Sequence, residues 1–315
     1  MKKTILLFTA FSLVIFIVKA QKPDTAKAIV HYKFSHLRDT TNRDKPYAEN
    51  MILFVGATSS AYKSYDRKMQ EALMKKQVAD QIAEQKGNGG PINIKVTSRG
   101  ESTRNEFYQF PLQSKLVRKE RLITAYLIEE PMPAISWKIG NDTASFAGLH
   151  CQKATGHFKG RDYTAWFCPD LPFHTGPWKL NGLPGLIVEA YDARKEVVFK
   201  FDGMEDVSNT PKTAAGTPAP AGGLTVKMIG MEDDADPNII ALPTDAVKTT
   251  EKEFKRLEEA MRKDPNAFAK SAMAGSGMNM RPGGANGPGP GDQMRIVVNG
   301  NGPVINNPIE LPEKK

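Results

Sequence analysis

Apolar and polar positions alternate with a period of two along much of this chain. In residues 28–36, Val30, Tyr32 and Phe34 share one face, the pattern of a half-buried strand. Residues 42–46 supply turn chemistry. A short apolar run follows at 51–55 (MILFV), with 59–65 as its expected hairpin partner. Strand signals recur between residues 92 and 129 as INIKV, EFYQF, KLVRKE and LITAYLI, separated by turn-like clusters such as 98–105. Strands this closely spaced, with no crossover helices between them, predict an antiparallel meander. Residues 136–139 and 143–149 flank Gly140-Asn141-Asp142, which reads as a turn. Residues 186–191 and 196–201 form a further pair about the turn 192–195.

Two stretches change period. Residues 66–90 read as a helical insertion, rich in Lys, Gln, Glu, Ala and Met up to a stop at Gly87. Its apolar residues form no single stripe, since Met69 and Leu73 lie opposite Val78 and Ile82. Near the C-terminus, Thr250 and Glu253 have the spacing of a capping box. Phe254, Leu257 and Met261 follow as an apolar stripe, and Pro265 is expected to stop the helix. Three Glu-to-Lys/Arg pairs at i, i+4 (251/255, 258/262 and 259/263) support it. The expected fold is mainly β, an antiparallel meander curved like a half-barrel, with one docked C-terminal helix and the helical insertion.

Composition narrows the organisation. Lys2 and Lys3, an apolar run over 5–18 and the small-residue site ending at Ala20 match a secretory signal peptide over 1–20. The alternative, a membrane anchor, would need a longer run and a stop-transfer flank. The chain is therefore expected to be exported, to the periplasm or the extracellular space, with no transmembrane span after cleavage. Without Lys2, Lys3 and Lys19 the formal charge falls from +8 to +5. That surplus is spread rather than clustered, so no nucleic-acid partner is expected. Residues 208–223 and 275–292 are dominated by Pro, Ala, Gly, Ser and Thr and have little to bury. They suggest one β-rich domain over 21–265, interrupted by a flexible insertion at 208–223. A Gly/Pro-rich tail follows over 266–315, with a returning strand at 307–311.

The two cysteines sit in HCQKATGHFKGRDYTAWFCP, residues 150–169. A two-residue hairpin turn at Lys159-Gly160, with Gly supplying positive φ, places Cys151 directly opposite Cys168. Counted from the turn, theirs is a non-hydrogen-bonded pair, about 4.5 Å between Cα atoms. A disulfide there would contribute about 3 kcal/mol by loop closure. The rival readings are a metal site and a Cys168/His174 dyad. His157 lies about 20 Å along the strand from Cys151, too far to share an ion. One hairpin face carries Ala154, Phe158, Tyr163, Ala165 and Phe167. The other carries Lys153, Thr155, His157, Asp162, Thr164 and Trp166, with Lys153 placed for a cation–π contact with Trp166.

After the hairpin come GPWKL and NGLPGLIVE. Pro184-Gly185 suits the centre of a type II turn leading into the strand from Leu186, so Gly182, Pro184 and Gly185 read as backbone specialists. The string Gly182-Leu183-Pro184-Gly185-Leu186-Ile187 resembles the signature of the GLPGLI family. The surrounding CQKATGHFKGRDYTAWF, PDLP and GPWKLNGLPGLIVEAYD are similar to its central block, and Asn307-Pro308-Ile309-Glu310-Leu311 resembles its closing motif. The resemblance is convincing over roughly 126–201 and weaker around 30–64. It implies an exported protein of unassigned function and carries over no catalytic or ligand residues. Cys168 stands where a hydroxyl-bearing residue is more typical of the family. The meander also resembles the half-barrel of periplasmic lipoprotein carriers, an analogy of fold alone.

Three functional readings follow. The first is a non-enzymatic envelope protein that binds or carries an apolar or amphipathic ligand, a lipid or peptide, on a curved apolar face, with Tyr163, Trp166 and Trp178 as the candidate surface. The second is an interaction protein for an outer-membrane or secretion partner, for which an exposed apolar patch would be the sign. The third is a hydrolase with an unrecognised site. No nucleophile elbow, zinc-binding helix or phosphate loop is present, and His31, His36, His150, His157 and His174 lack metal spacing, so neither cofactor nor metal is expected. Glu189 and Asp192 could form an acid/base pair or a solvated strand end.

Overall fold

The computed structural model describes residues 23–85, 102–209, 238–275 and 304–313. The leader, the strand expected at 92–96 and most of 208–223 and 275–292 lie outside these residues. The chain runs β1 (Asp24–Thr25), β2 (Ala28–His36), β3 (Tyr47–Val55), β4 (Ser60–Ser64), α1 (Tyr65–Gln85) and β5 (Glu106–Phe110). Then come β6 (Lys115–Arg121), β7 (Ala125–Pro131), β8 (Trp137–Phe146), β9 (Leu149–Phe158), β10 (Arg161–Cys168), β11 (Leu186–Asp192) and β12 (Val197–Asp206). The last elements are β13 (Ile239–Ile240), β14 (Val247–Thr249), α2 (Glu251–Lys263) and α3 (Pro265–Gly275).

Twelve of the strands form one open sheet in the order β14-β7-β6-β5-β4-β3-β2-β12-β11-β10-β9-β8. Neighbours in sequence are mostly neighbours in the sheet, as a meander requires. The long step joins β2 to β12 and so places the first full strand at the centre. The mainly β class and the curved sheet stand, with one amendment: β14 pairs with β7 in parallel, so the sheet is mixed. β1 pairs with β13 in a separate two-stranded sheet. Among the described residues no helix is long and apolar enough to cross a membrane.

The alternation seen in the sequence separates two apolar clusters. The inner face gathers Val30, Tyr32 and Phe34 of β2, Leu53 of β3, Tyr62 of β4, Leu116 of β6, Phe167 of β10 and Phe199 of β12 into one cluster. Side chains from strands this far apart in the sheet meet only because it curves around them. The outer face of β2–β7 carries a second cluster with Ile29, Ile52, Phe54, Tyr108, Val117 and Leu127.

The helices follow their signals. Val78 of α1 is buried while Met69 and Leu73, on the opposite side, are exposed, so the helix docks by one edge only. In α2 both bonds of the capping box form between Thr250 and Glu253, worth about 1 kcal/mol. Phe254 is buried edge-on against Tyr126, 5.7 Å between ring centroids. Pro265 does end α2, but it also starts α3, which occupies the first residues of the expected tail. A proline at the first helical position gives up no hydrogen bond. The segment at 307–311 returns to the domain as a strap outside any ladder, not as a strand. Pro308 has no N–H to donate, and side chains hold the segment together with isolated main-chain bonds from Asn306 and Asn307 to the Arg38 carbonyl and from Leu311 to the Lys159 carbonyl.

Candidate functional site

The β9–β10 hairpin has the expected register: Arg161 opposes Phe158, Ala165 opposes Ala154 and Phe167 opposes Gln152. Lys159 and Gly160 both adopt positive φ, 51° and 68°, as a type I′ turn requires. Cys151 and Cys168 are joined in a disulfide with Cα atoms 4.2 Å apart. Neither sulfur is therefore a free thiol, which removes the metal and dyad readings. Lys153 pairs with Asp142 at 2.9 Å and Trp166 packs on Phe146 at 5.8 Å, so the expected cation–π contact does not form.

The segment between Cys168 and Leu186 also departs from expectation. It turns back under the sheet and fills the inner face, where Trp178, Leu180 and Leu183 are at most 3% exposed. Burial of Leu180 and Leu183 contributes about 1.5–3 kcal/mol each. Trp178 lies between Phe158 and Phe199, at 5.5 and 6.4 Å. Polar bonds fix this plug. Gln109 Nε2 donates to the carbonyls of Trp178 and Leu180, at 3.2 and 3.3 Å. The Thr175 hydroxyl donates to Gln109 Oε1 at 3.0 Å, Trp137 Nε1 donates to the Asn181 carbonyl at 2.8 Å, and the Tyr32 hydroxyl donates to the Ile187 carbonyl at 2.6 Å. Tyr163 and Trp178 thus belong to the core and offer no binding surface, while Trp166 is half-buried.

The Gly182–Ile187 signature acts here as the hinge of the plug. No type II turn forms at Pro184-Gly185. Gly185 N–H donates to the Leu183 carbonyl at 2.8 Å, a three-residue γ-turn about Pro184. A side chain at Gly185 would place its Cβ 2.3 Å from the Cys168 carbonyl oxygen. The glycine therefore serves a close backbone approach: the end of the plug lies directly against the end of β10.

At the far side of the sheet, β8 is an edge with no second strand beside it among the described residues. The segment Gly140-Asn141-Asp142 is not a turn. It is a bulge in which three residues of β8 face Lys153 alone. The actual turn is Ala147-Gly148, both at positive φ. Beyond the bulge, Thr143 opposes Gln152 and Ser145 opposes His150. Counted from the two-residue turn, these are non-hydrogen-bonded pairs, so the main-chain N–H and C=O of Thr143 and Ser145 point away from β9 toward the open edge. A groove of about 540 Å³ runs beside them, lined by Thr143, Ser145, His150, Gln152, Asp170 and the Cys151 end of the disulfide. Ser145, His150 and Asp170 are residue types used in acyl transfer, but no hydrogen bond joins any two of them.

Sequence reasoning missed a buried polar centre at the hairpin tip. Arg161 occupies the parity of the apolar face, and that placement was the available signal. Its side chain is 1% exposed. Its Nη1 pairs with Asp192 at 2.8 Å and Glu196 at 3.5 Å. Its Nη2 donates to Asn307 Oδ1 at 2.7 Å and the Pro308 carbonyl at 2.8 Å, and Nε donates to the Ile309 carbonyl at 2.9 Å. Asp192 is therefore a buried anchor and not a solvated strand end; its Oδ1 also accepts from Glu196 N–H and Val197 N–H. His36 Nε2 donates to the Asn307 carbonyl at 2.8 Å. Burial first, then the charges of Arg161 and Arg38, lowers the His36 pKa to about 4. At the exposed end of the strap, hydrogen bonds to Asp162 and Glu313 raise that of His157.

A family model described as "Protein of unknown function (Porph_ging)" matches residues 153–189, the span from the hairpin through the plug to the signature strand. No curated protein matches. Among solved structures, PNGF-II in two crystal forms is similar to this chain at TM-scores of 0.44 and 0.43, with 10% and 8% sequence identity. Each match covers 73% of this chain but 32% of the other, so the chain spans about a third of the length of those structures.

Proposed function

We propose that this chain is a non-enzymatic interaction protein of the cell envelope, of the GLPGLI kind, which captures an extended segment of a partner protein along β8. The observation that carries the proposal is a contrast between two surfaces. The inner face, where a carrier would hold its ligand, is filled by Trp178, Leu180 and Leu183 of the chain itself. The edge at Thr143 and Ser145 is exposed, with main-chain donors and acceptors directed outward. A partner strand added there would gain main-chain bonds, and the adjoining groove could accept its alternate side chains. The leader-like residues 1–20 and the disulfide support an exported location. The carrier reading would require the plug to leave, at the cost of its buried apolar contacts. The hydrolase reading would require a carboxylate such as Asp192 to be free for acid/base work, and Arg161 and two main-chain N–H groups engage it.

The test is a photo-crosslinking residue at Ser145 in the full chain, compared with one at Thr155, which is exposed but away from the edge. A partner adduct specific to position 145 is expected. Thr143→Pro should abolish it with no change in melting temperature, because the lost N–H faces away from β9. Equal crosslinking at the two positions, or an adduct indifferent to the proline, would sink the edge reading. A stoichiometric adduct of acyl-chain mass in native mass spectrometry would restore the carrier.

A further inference from the structure

Residues 304–313 cross the hairpin tip and the end of β2 as a peptide lying in a site. Asn307 is 4% exposed, and each of its polar groups is engaged. Its Nδ2 donates to the Leu37 carbonyl at 2.7 Å and Glu196 at 3.0 Å. Its Oδ1 accepts from Arg161, its carbonyl from His36, and its N–H donates to the Arg38 carbonyl at 3.0 Å. On one side Asn306 bonds Asp39 and Thr40 at 2.8 and 2.9 Å. On the other, Glu310 reaches Lys179 at 2.8 Å and Lys159 at 3.2 Å. Gly160 leaves room for the crossing, since a Cβ there would lie 2.7 Å from the Pro312 carbonyl.

These contacts have the character of peptide recognition. Arg161 reads two successive main-chain carbonyls, of Pro308 and Ile309, and one side-chain amide. The guanidinium is held from behind by Asp192 and Glu196, neither of which lies on the strap. The two ion pairs of Arg161 are therefore made without the strap, which supplies the other three contacts of the guanidinium. The strap in turn joins the domain through residues 276–303. At about 3.3 Å per residue that connection can span up to roughly 90 Å.

We propose that the Arg161 cradle is a peptide-docking site specific for the Asn-Pro-Ile-Glu-Leu segment, and that the segment of a second copy can occupy it, joining two copies through exchanged straps. Within one chain the tether gives the resident strap an effective concentration in the millimolar range. The unexchanged monomer therefore prevails in dilute solution, and exchange emerges on concentrating. This site lies apart from the β8 edge and does not depend on the partner proposed for it.

The experiment begins from the full chain with a protease site placed within residues 276–303. After cutting, the C-terminal piece is expected to co-elute with the body. A labelled synthetic peptide of residues 304–313 should displace it, followed by fluorescence anisotropy. The same peptide carrying Asn307→Ala should bind roughly 30-fold more weakly or worse, because Arg161, Leu37 and Glu196 lose a partner in a buried site. Using peptide variants leaves the fold of the body untouched. In a second arm, two mass-tagged batches of the uncut chain are mixed at high concentration. Native mass spectrometry should show mixed dimers that excess peptide abolishes. If the cut protein unfolds, or retains its piece against a large peptide excess, the strap is an integral part of the fold and the docking site is refuted. Peptide exchange without mixed dimers would refute the second copy as occupant.

Discussion

Arg161 is the residue on which the buried polar centre at the hairpin tip converges. It sits where the two-residue period calls for an apolar side chain, yet its guanidinium bonds five oxygens, two of them on carboxylates. Removing one partner from a buried ion cluster leaves the others charged and unpaired, which costs about 3–5 kcal/mol. Arg161→Met should therefore lower stability by that amount in urea titrations, more than replacement of any single apolar neighbour of similar size. His36 gives a pH signature to the same centre. Its folded pKa of about 4 lies below the ordinary value of 6.5, so between these values the unfolded chain binds more protons. The contribution of His36 is thus complete above pH 6.5 and lost as the pH falls toward 4, on the order of 3 kcal/mol in total. His157 acts in the opposite direction: its raised pKa gives stability that is present below about 6.5 and lost as the pH rises through the raised value. Melting temperatures of the protein and of His36→Asn across pH 4–8 should diverge in slope only on the acid side.

Among the elements, the signature segment shows what a sequence pattern can and cannot say. Pro184 and Gly185 announce a special backbone, and the backbone is special, but the reason lies elsewhere in the chain, in the Cys168 carbonyl. Gly185→Ala should cost more than 2 kcal/mol and shift the near-UV signal of Trp178, since a Cβ at 2.3 Å forces the plug off β10. The elements governed by local chemistry were legible: β2 with its alternation, the α2 capping box, and the hairpin register that pairs the cysteines. Those set by distant contacts were not. Nothing near Trp178 says that it will enter the core instead of facing solvent. Gly140-Asn141-Asp142 has turn composition but becomes a bulge because Ala147-Gly148, nearer Leu149, closes the hairpin first. The return of residues 307–311 was anticipated, but not its lack of ladder pairing, since the holding side chains come from residues 36, 161 and 196.

At the scale of the whole molecule, the sheet has a protected centre and two unequal margins. β2 is flanked by β3 and β12; its inner face is buried throughout, and Ile29 buries the start of its outer face. Beyond β7, the β14 margin is three residues long, and the opposite margin is the bulged β8. Amide protection should follow this layout, because local opening costs least where few buried contacts resist it. Hydrogen exchange should be slowest in β2, β3 and β12, intermediate in β9 and β10, and fastest in β14, the strap and the outer half of β8. If the strap amides at Asn307 and Leu311 exchanged as slowly as β2, the strap would open only with the entire fold.

The pairing of β2 with β12 also governs when the chain can fold. Tyr32 must wait for Ile187, which follows 155 residues later, and His36 for Asn307, 271 residues later. At synthesis rates of about 5–20 residues per second, the first interval alone lasts roughly 10–30 s. Once β7 has been made, strands β2–β7 have an inner apolar face with no plug to cover it until residues 168–187 follow. High contact order of this kind slows folding further. The nascent half-sheet is thus the most aggregation-prone form this sequence adopts, and its maturation is timed by the arrival of the signature segment.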